Sequence, residues 1–114
     1  MIGEDKTMRI FVSQPMTGRE EKEVIDERNK VIDYMTSRYI EGIDLVENYY
    51  KDGGPTRDYK YQSLWFLGDS IMLMGKADIV VFVPGYENAK GCKVEMEICK
   101  LYGIPFKVLE EGDI

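Results

Sequence analysis

An almost unbroken apolar run, Asp78-Ile79-Val80-Val81-Phe82-Val83, constrains this chain more than any other stretch. A strand that is apolar on both faces must be covered on both, which is the pattern of a central parallel strand. Parallel neighbours are joined by crossovers that are usually helical, so the rest of the chain must alternate short strands with helices. It does. Met8–Ser13 reads as a first apolar strand, and Gln14-Pro15-Met16-Thr17-Gly18 as a turn in which Thr17 and Glu20 make a capping box for a helix over residues 19–39. That helix carries Val24, Ile25, Val31, Ile32, Met35 and Tyr39 on one side. Residues 43–47 form a second strand, residues 48–62 a long polar loop rich in Tyr and Gly, and residues 63–75 a second helix. After the strand at 78–83, a link over 84–90 leads into a helix over 91–103, stopped by Gly103 and Pro105. A last strand at 106–109 follows, then a tail over 110–114 expected to fray. With right-handed crossovers the expected fold is α/β: a three-layer, Rossmann-like (flavodoxin-like) parallel sheet of four to five strands, helices on both faces, in a single domain over 1–114.

Composition removes several classes of function. A net charge of −6 argues against binding along a phosphate backbone, so nucleic acid is not the expected partner. The absence of histidine removes imidazole acid/base chemistry and the commonest metal ligand. Cys92 and Cys99, both on one helix, fit neither a disulfide framework nor a zinc site, and read as core thiols of a cytoplasmic protein. No apolar run is long enough to cross a bilayer and the N-terminus lacks a signal-peptide pattern, so no membrane association is expected.

Glu95 stands out within this frame. On a wheel of about 100° per residue, the apolar arc of the 91–103 helix runs through Leu101, Val94, Ile98, Gly91, Tyr102, Cys99, Cys92 and Met96, with Glu95 in its middle. Glu97 lies opposite, beside Lys93 and Lys100, as a solvated acid should. A carboxylate on a buried face must be paired, be neutralised, or line a cavity where chemistry occurs. Its place in the first turn favours the ionised form through the helix dipole. Two readings stay open: a nucleophile or base, or an acid stabilised by the helix end or by an Arg or Lys from elsewhere.

Topology says where a ligand would meet it. Open α/β sheets bind ligands beyond the carboxyl ends of their strands, near a switch in strand order. The segments reaching that edge are 13–18, 48 onward and 84–95, whereas Asp78 begins its strand at the far end. Ser13 and Gln14 either bond to a ligand there or serve as turn residues bonding locally.

The residues Ile10-Phe11-Val12-Ser13-Gln14-Pro15-Met16-Thr17-Gly18, Ala77-Asp78, and Pro84-Gly85-Tyr86-Glu87-Asn88-Ala89-Lys90-Gly91-Cys92 followed by Glu95, Gly103 and Pro105 make a set. By them the chain resembles the nucleoside 2-deoxyribosyltransferase superfamily, in its small phage-associated and bacterial branch. The resemblance implies that Glu95 attacks the anomeric carbon of a deoxyribosyl group, displacing the base, with no metal or redox cofactor. It also implies a nucleoside or nucleotide ligand along Ser13, Gln14, Pro15, Met16, Gly18, Tyr86, Asn88, Ala89, Gly91 and Cys92, with the Gly91 and Cys92 amides facing phosphate or sugar oxygens. Three supports differ. Where the transferases carry a tyrosine on the first strand the chain has Ile10; where they place an Asp or Ser before the glutamate it has Ala89; where an Asp precedes the central strand it has Ser70, with Asp69 as the neighbouring substitute in the catalytic set.

Two further features bear on assembly and ligand choice. The 63–75 helix is apolar nearly all round, through Trp65, Phe66, Leu67, Ile71, Met72, Leu73 and Met74, which implies a homo-oligomer, dimer or higher, the alternative being cover by the long loop. Arg28 lies in the apolar arc of the first helix, where a buried or interfacial ion pair is expected, with direct ligand contact as the alternative. Tyr49, Tyr50, Lys51, Arg57, Tyr59, Lys60 and Tyr61 offer aromatic and cationic groups for a base and a phosphate. The functional expectation is an N-glycosidase or deoxyribosyltransferase acting on a deoxynucleoside or its 5′-monophosphate. Its alternative is a non-catalytic binder of a nucleotide-derived signal.

Overall fold

The computed structural model describes residues 7–39, 42–47 and 60–114. Four strands, β1 (Met8–Ser13), β2 (Ile43–Leu45), β3 (Ile79–Phe82) and β4 (Phe106–Val108), form one all-parallel sheet in the order β2-β1-β3-β4. The helices are α1 (Glu21–Thr36), α2 (Gln62–Met74) and α3 (Lys90–Tyr102). This is the expected three-layer α/β architecture.

Side-chain alternation along β1 explains the layering. Ile10 and Val12 point one way, into a core shared with Val31 and Met35 of α1 and with Leu109. Phe11 points the other way, toward Met74 of α2 and Met96 and Cys99 of α3, with Val80 and Phe82 of β3. Both faces of β1 and β3 are therefore buried, as the apolar run at 79–83 required.

Several local expectations need correcting. The capping box at the start of α1 is formed by Glu20 and Glu23, not by Thr17 and Glu20. Gly18, at φ 78°, and the Arg19 N–H donated to the Met16 carbonyl at 3.1 Å close a separate turn first, which delays the helix by two residues. The end of the chain is ordered where fraying was expected. Glu110 and Asp113 cap a 3-10 turn at Glu111–Asp113, and Ile114 packs on the α1-side core. On α3, Leu101 and Tyr102 are 75% and 76% exposed, and the buried face is Cys92, Glu95, Met96 and Cys99. A wheel gives the width of an apolar arc but not which part of it meets the sheet; small thiols and a flexible methionine pack closest here.

The strand order fixes the functional edge. The chain leaves β1 toward β2 on one side and β3 toward β4 on the other, so the switch point lies between β1 and β3. Ser13 is in register with Phe82 across that junction, and the segments after both strands emerge side by side.

Candidate functional site

Ser13 is the last residue of β1 and shares the face of Phe11, so its side chain meets the start of α3. Its hydroxyl donates to Glu95 Oε1 at 2.6 Å, a short bond typical of a hydroxyl on a carboxylate. Glu95 is 7% exposed. Among the described residues it makes no ion pair, because no Lys or Arg comes within reach of its carboxylate. Burial pushes its pKa up from 4.5 to about 7, against the hydrogen bonds of Ser13 and of Ser70 on α2, which pull it down. A carboxyl in this state exchanges its proton near neutral pH, the condition a general acid or base needs, and is a nucleophile only in its ionised share.

Cys92 lies one turn before Glu95 on the same buried face, so the acid stands in the second turn of α3 and not in the first as expected. Loss of hydration pushes its thiol up to about 11, with the Ser13 hydrogen bond opposing and the charges of Glu95 and Glu27 adding to the rise. Cys99, one turn after Glu95, is likewise raised to about 11 by burial and then by Glu95. Both thiols are protonated near neutrality and free of disulfide, so they serve as walls around the acid. The expected cluster of Ser13, Cys92 and Glu95 is thus brought together.

The remaining expected residues divide. Gln14 is buried, but its side chain is committed within the protein: Nε2 donates to the Val24 carbonyl at 3.2 Å and to Glu27 Oε1 at 2.9 Å, while Oε1 accepts from Arg28 Nε at 2.9 Å. All three partners belong to α1, ten to fourteen residues away, so these bonds are not the local turn bonds expected of it. The Pro15 carbonyl accepts from Arg19 Nη1 at 2.8 Å. Met16 is half-buried, and Gly18 is exposed in the turn. Tyr86 packs its ring on Phe82 at 5.1 Å, Asn88 is exposed and Ala89 half-buried. Gly91 stands in the first turn of α3 with nothing within 4 Å of where a Cβ would be, so space opens beside it. Ala89 caps α3 without a side-chain hydrogen bond, leaving the first amides of the helix without a side-chain acceptor from that position.

Asp69 is half-buried on α2, and its Oδ2 is out of solvent with no hydrogen-bond partner among the described residues. The α2 side chain that acts on Glu95 is Ser70, one residue on. Ile10, in the position compared with a transferase tyrosine, points into the α1-side core, across the sheet from Glu95. The β1 residue that meets the acid is Ser13.

Sequence reading did not anticipate the roles of Ser70, Arg19 and Glu27. Glu27 anchors Gln14 and also accepts from Arg19 at 2.8 Å. Arg28 is buried and pairs with Glu47 at 3.0 Å, the ion pair its place in the apolar arc implied. Of the loop expected to choose the ligand, residues 48–59 lie outside the described residues; Lys60 sits 5.6 Å from the Tyr61 ring. A cleft of about 340 Å³ lined by Arg19, Glu23, Glu27, Pro84, Glu111 and Ile114 among others lies on the α1 side and shares no wall with Glu95. Among the described residues no group of three or more Cys, Asp or Glu side chains is placed to hold a metal ion, and no helix is long and apolar enough to cross a membrane. No protein-family profile, curated protein or solved structure matches the chain, and a functional reading rests on this fold and this geometry.

Proposed function

We propose that the chain binds a nucleoside or nucleotide at the β1/β3 switch point and cleaves or transfers the N-glycosidic bond of a deoxynucleoside or its 5′-monophosphate, with Glu95 as nucleophile. One observation carries this reading: a buried carboxylate at the carboxyl edge of the sheet, held by the Ser13 hydroxyl and matched by no cation among the described residues. A structural acid buried for stability would be expected to have a cationic partner, since an uncompensated charge is costly to bury. Holding one without a partner is a cost that fits a reacting group.

In the proposed reaction a carboxylate oxygen of Glu95 forms a bond to the anomeric carbon. The C–N bond breaks, its electron pair leaves with the base, and the base takes up a proton from solvent. Water or a second base then attacks the same carbon and releases the carboxylate. Positive charge building on the sugar is stabilised by the ionised carboxylate. Among the described residues the space beside Gly91 is open, which suits close approach of the sugar.

The alternative is a non-catalytic binder of a nucleotide-derived signal at the same edge. What favours it is the pKa of about 7, which leaves a large share of Glu95 protonated at neutral pH and so a poorer nucleophile. Incubation with deoxynucleosides and their 5′-monophosphates, followed by chromatography for free base, separates the two. Base release that Glu95→Gln abolishes supports the enzyme; a raised melting temperature without release supports the binder, and neither result with any nucleotide rejects both.

The same reading includes self-association in the cytoplasm. Leu64 and Met72 on α2 are 62% and 75% exposed, on a helix whose only charge is Asp69. In a chain of net charge −6, this near-neutral apolar surface is where two copies can meet with least repulsion.

A further inference from the structure

The bond between Ser13 and Glu95 depends on where the end of β1 is held, and the residue after Ser13 is clamped on the opposite side of the sheet. Gln14 has its amide oriented without ambiguity: a donor, Arg28 Nε, faces its oxygen, and two acceptors, Glu27 Oε1 and the Val24 carbonyl, face its nitrogen. Each partner is itself fixed. Arg28 is buried and tied to Glu47 just beyond β2; Glu27 is held by Arg19, which also binds the Pro15 carbonyl. The clamp therefore joins β1, the turn after it, α1 and the exit of β2. Successive strand residues point to opposite faces, so fixing Gln14 toward α1 directs Ser13 toward α3.

We propose that Gln14 and Arg28 are positioning residues for Glu95: their clamp on the α1 side holds the end of β1 so that the Ser13 hydroxyl is delivered to the carboxylate on the α3 side. Neither touches Glu95, and both act through Ser13. For its catalytic consequence this rests on the reading of Glu95 as the reacting group. Its physical content, the charge state of Glu95, is measurable without ligand or turnover. The groups around Glu95 are the hydroxyls of Ser13 and Ser70 and the thiols of Cys92 and Cys99; around the clamp they are Arg19, Glu27, Arg28 and Glu47.

The test is the titration of the Glu95 side-chain carboxyl by carbon NMR on the full chain, its signal assigned by its loss in E95Q. Ser13→Ala removes a hydrogen bond to the charged form, so the midpoint should rise by about one pH unit or more. Gln14→Leu, which changes no charge, should raise it in the same direction. S13A combined with Q14L should rise no further than S13A alone, because the clamp acts only through that hydroxyl. Should Q14L fail to fold, Arg28→Lys keeps the buried charge but loses the Nε donor, and should shift the midpoint as Q14L would. An unmoved midpoint in Q14L or R28K, or additive shifts in the double variant, overturns the proposal. Base release with an unmoved midpoint would sink the clamp alone; the expected shifts without base release would sink only the catalytic reading.

Discussion

Replacing Glu95 by Gln should stabilise the fold, and should do so only at higher pH. The carboxyl has a pKa of about 7 in the fold against an ordinary value of 4.5. The native state thus binds this proton more tightly than the unfolded chain. The favourable contribution is complete below 4.5, is lost as pH rises toward 7, and stays lost above it. That interval corresponds to about 3 kcal/mol, most of it lost between pH 5 and pH 8. Gln keeps an oxygen that can accept from Ser13 and has no proton to lose, so its stability lacks this slope. Urea unfolding of both proteins at the two pH values reads the difference directly. E95Q should gain about 2–3 kcal/mol on the unsubstituted chain in going from pH 5 to pH 8, or about 10 °C in Tm for a domain of this size. An equal difference at both pH values would refute the reasoning, because it would mean that the carboxyl is not held in a medium that disfavours its charge.

If the ionised carboxylate is the nucleophile, kcat/KM for base release should rise through about pH 7, and Ser13→Ala should move that rising limb upward; a flat profile measured from pH 5 to pH 9 would contradict it. Gly91→Leu places a side chain where nothing lies within 4 Å among the described residues, so it should leave the unfolding midpoint nearly unchanged or slightly higher while abolishing nucleotide-induced thermal stabilisation. Leu64→Glu with Met72→Glu should convert any oligomer seen by light scattering to monomer without loss of helix signal. Arg28→Met leaves Gln14 Oε1 without its donor in a buried site and should lower stability by about 1–3 kcal/mol in denaturant unfolding.

Much of the architecture is written in local patterns. The doubly apolar run at 79–83 requires cover on both faces, and the alternation of the remaining segments leaves few topologies. Glu95 was legible because its neighbours on a helix wheel are apolar, and Cys92, Met96 and Cys99 do surround it. What stayed hidden depends on contacts distant in sequence or on competing local geometry. Ser13 and Glu95 are 82 residues apart, so only the strand order shows that they meet. The first capping box was misplaced because Thr17 has the right chemistry, while Gly18 in the left-handed region diverts the chain for one more turn. Fraying at the C-terminus was expected from polarity alone, but Glu110 and Asp113 use that polarity to cap each other. Gln14 read equally as a ligand contact or a turn residue bonding locally; its bonds to Glu27 and Arg28 come instead from α1, and an isolated Gln carries no such signal.

Trapping the covalent intermediate tests the central claim most directly. The fluorine of a 2′-fluoro-arabinosyl nucleoside destabilises positive charge on the sugar and slows both capture and release, so a substrate with a good leaving base, which keeps capture the faster step, lets the intermediate accumulate. After incubation, mass spectrometry of the digested chain should find the fluorosugar on the peptide that carries Glu95, and on none in the E95Q chain. Free base released with no adduct on Glu95, or an adduct on another side chain, would contradict the assignment of this buried carboxylate as the reacting group.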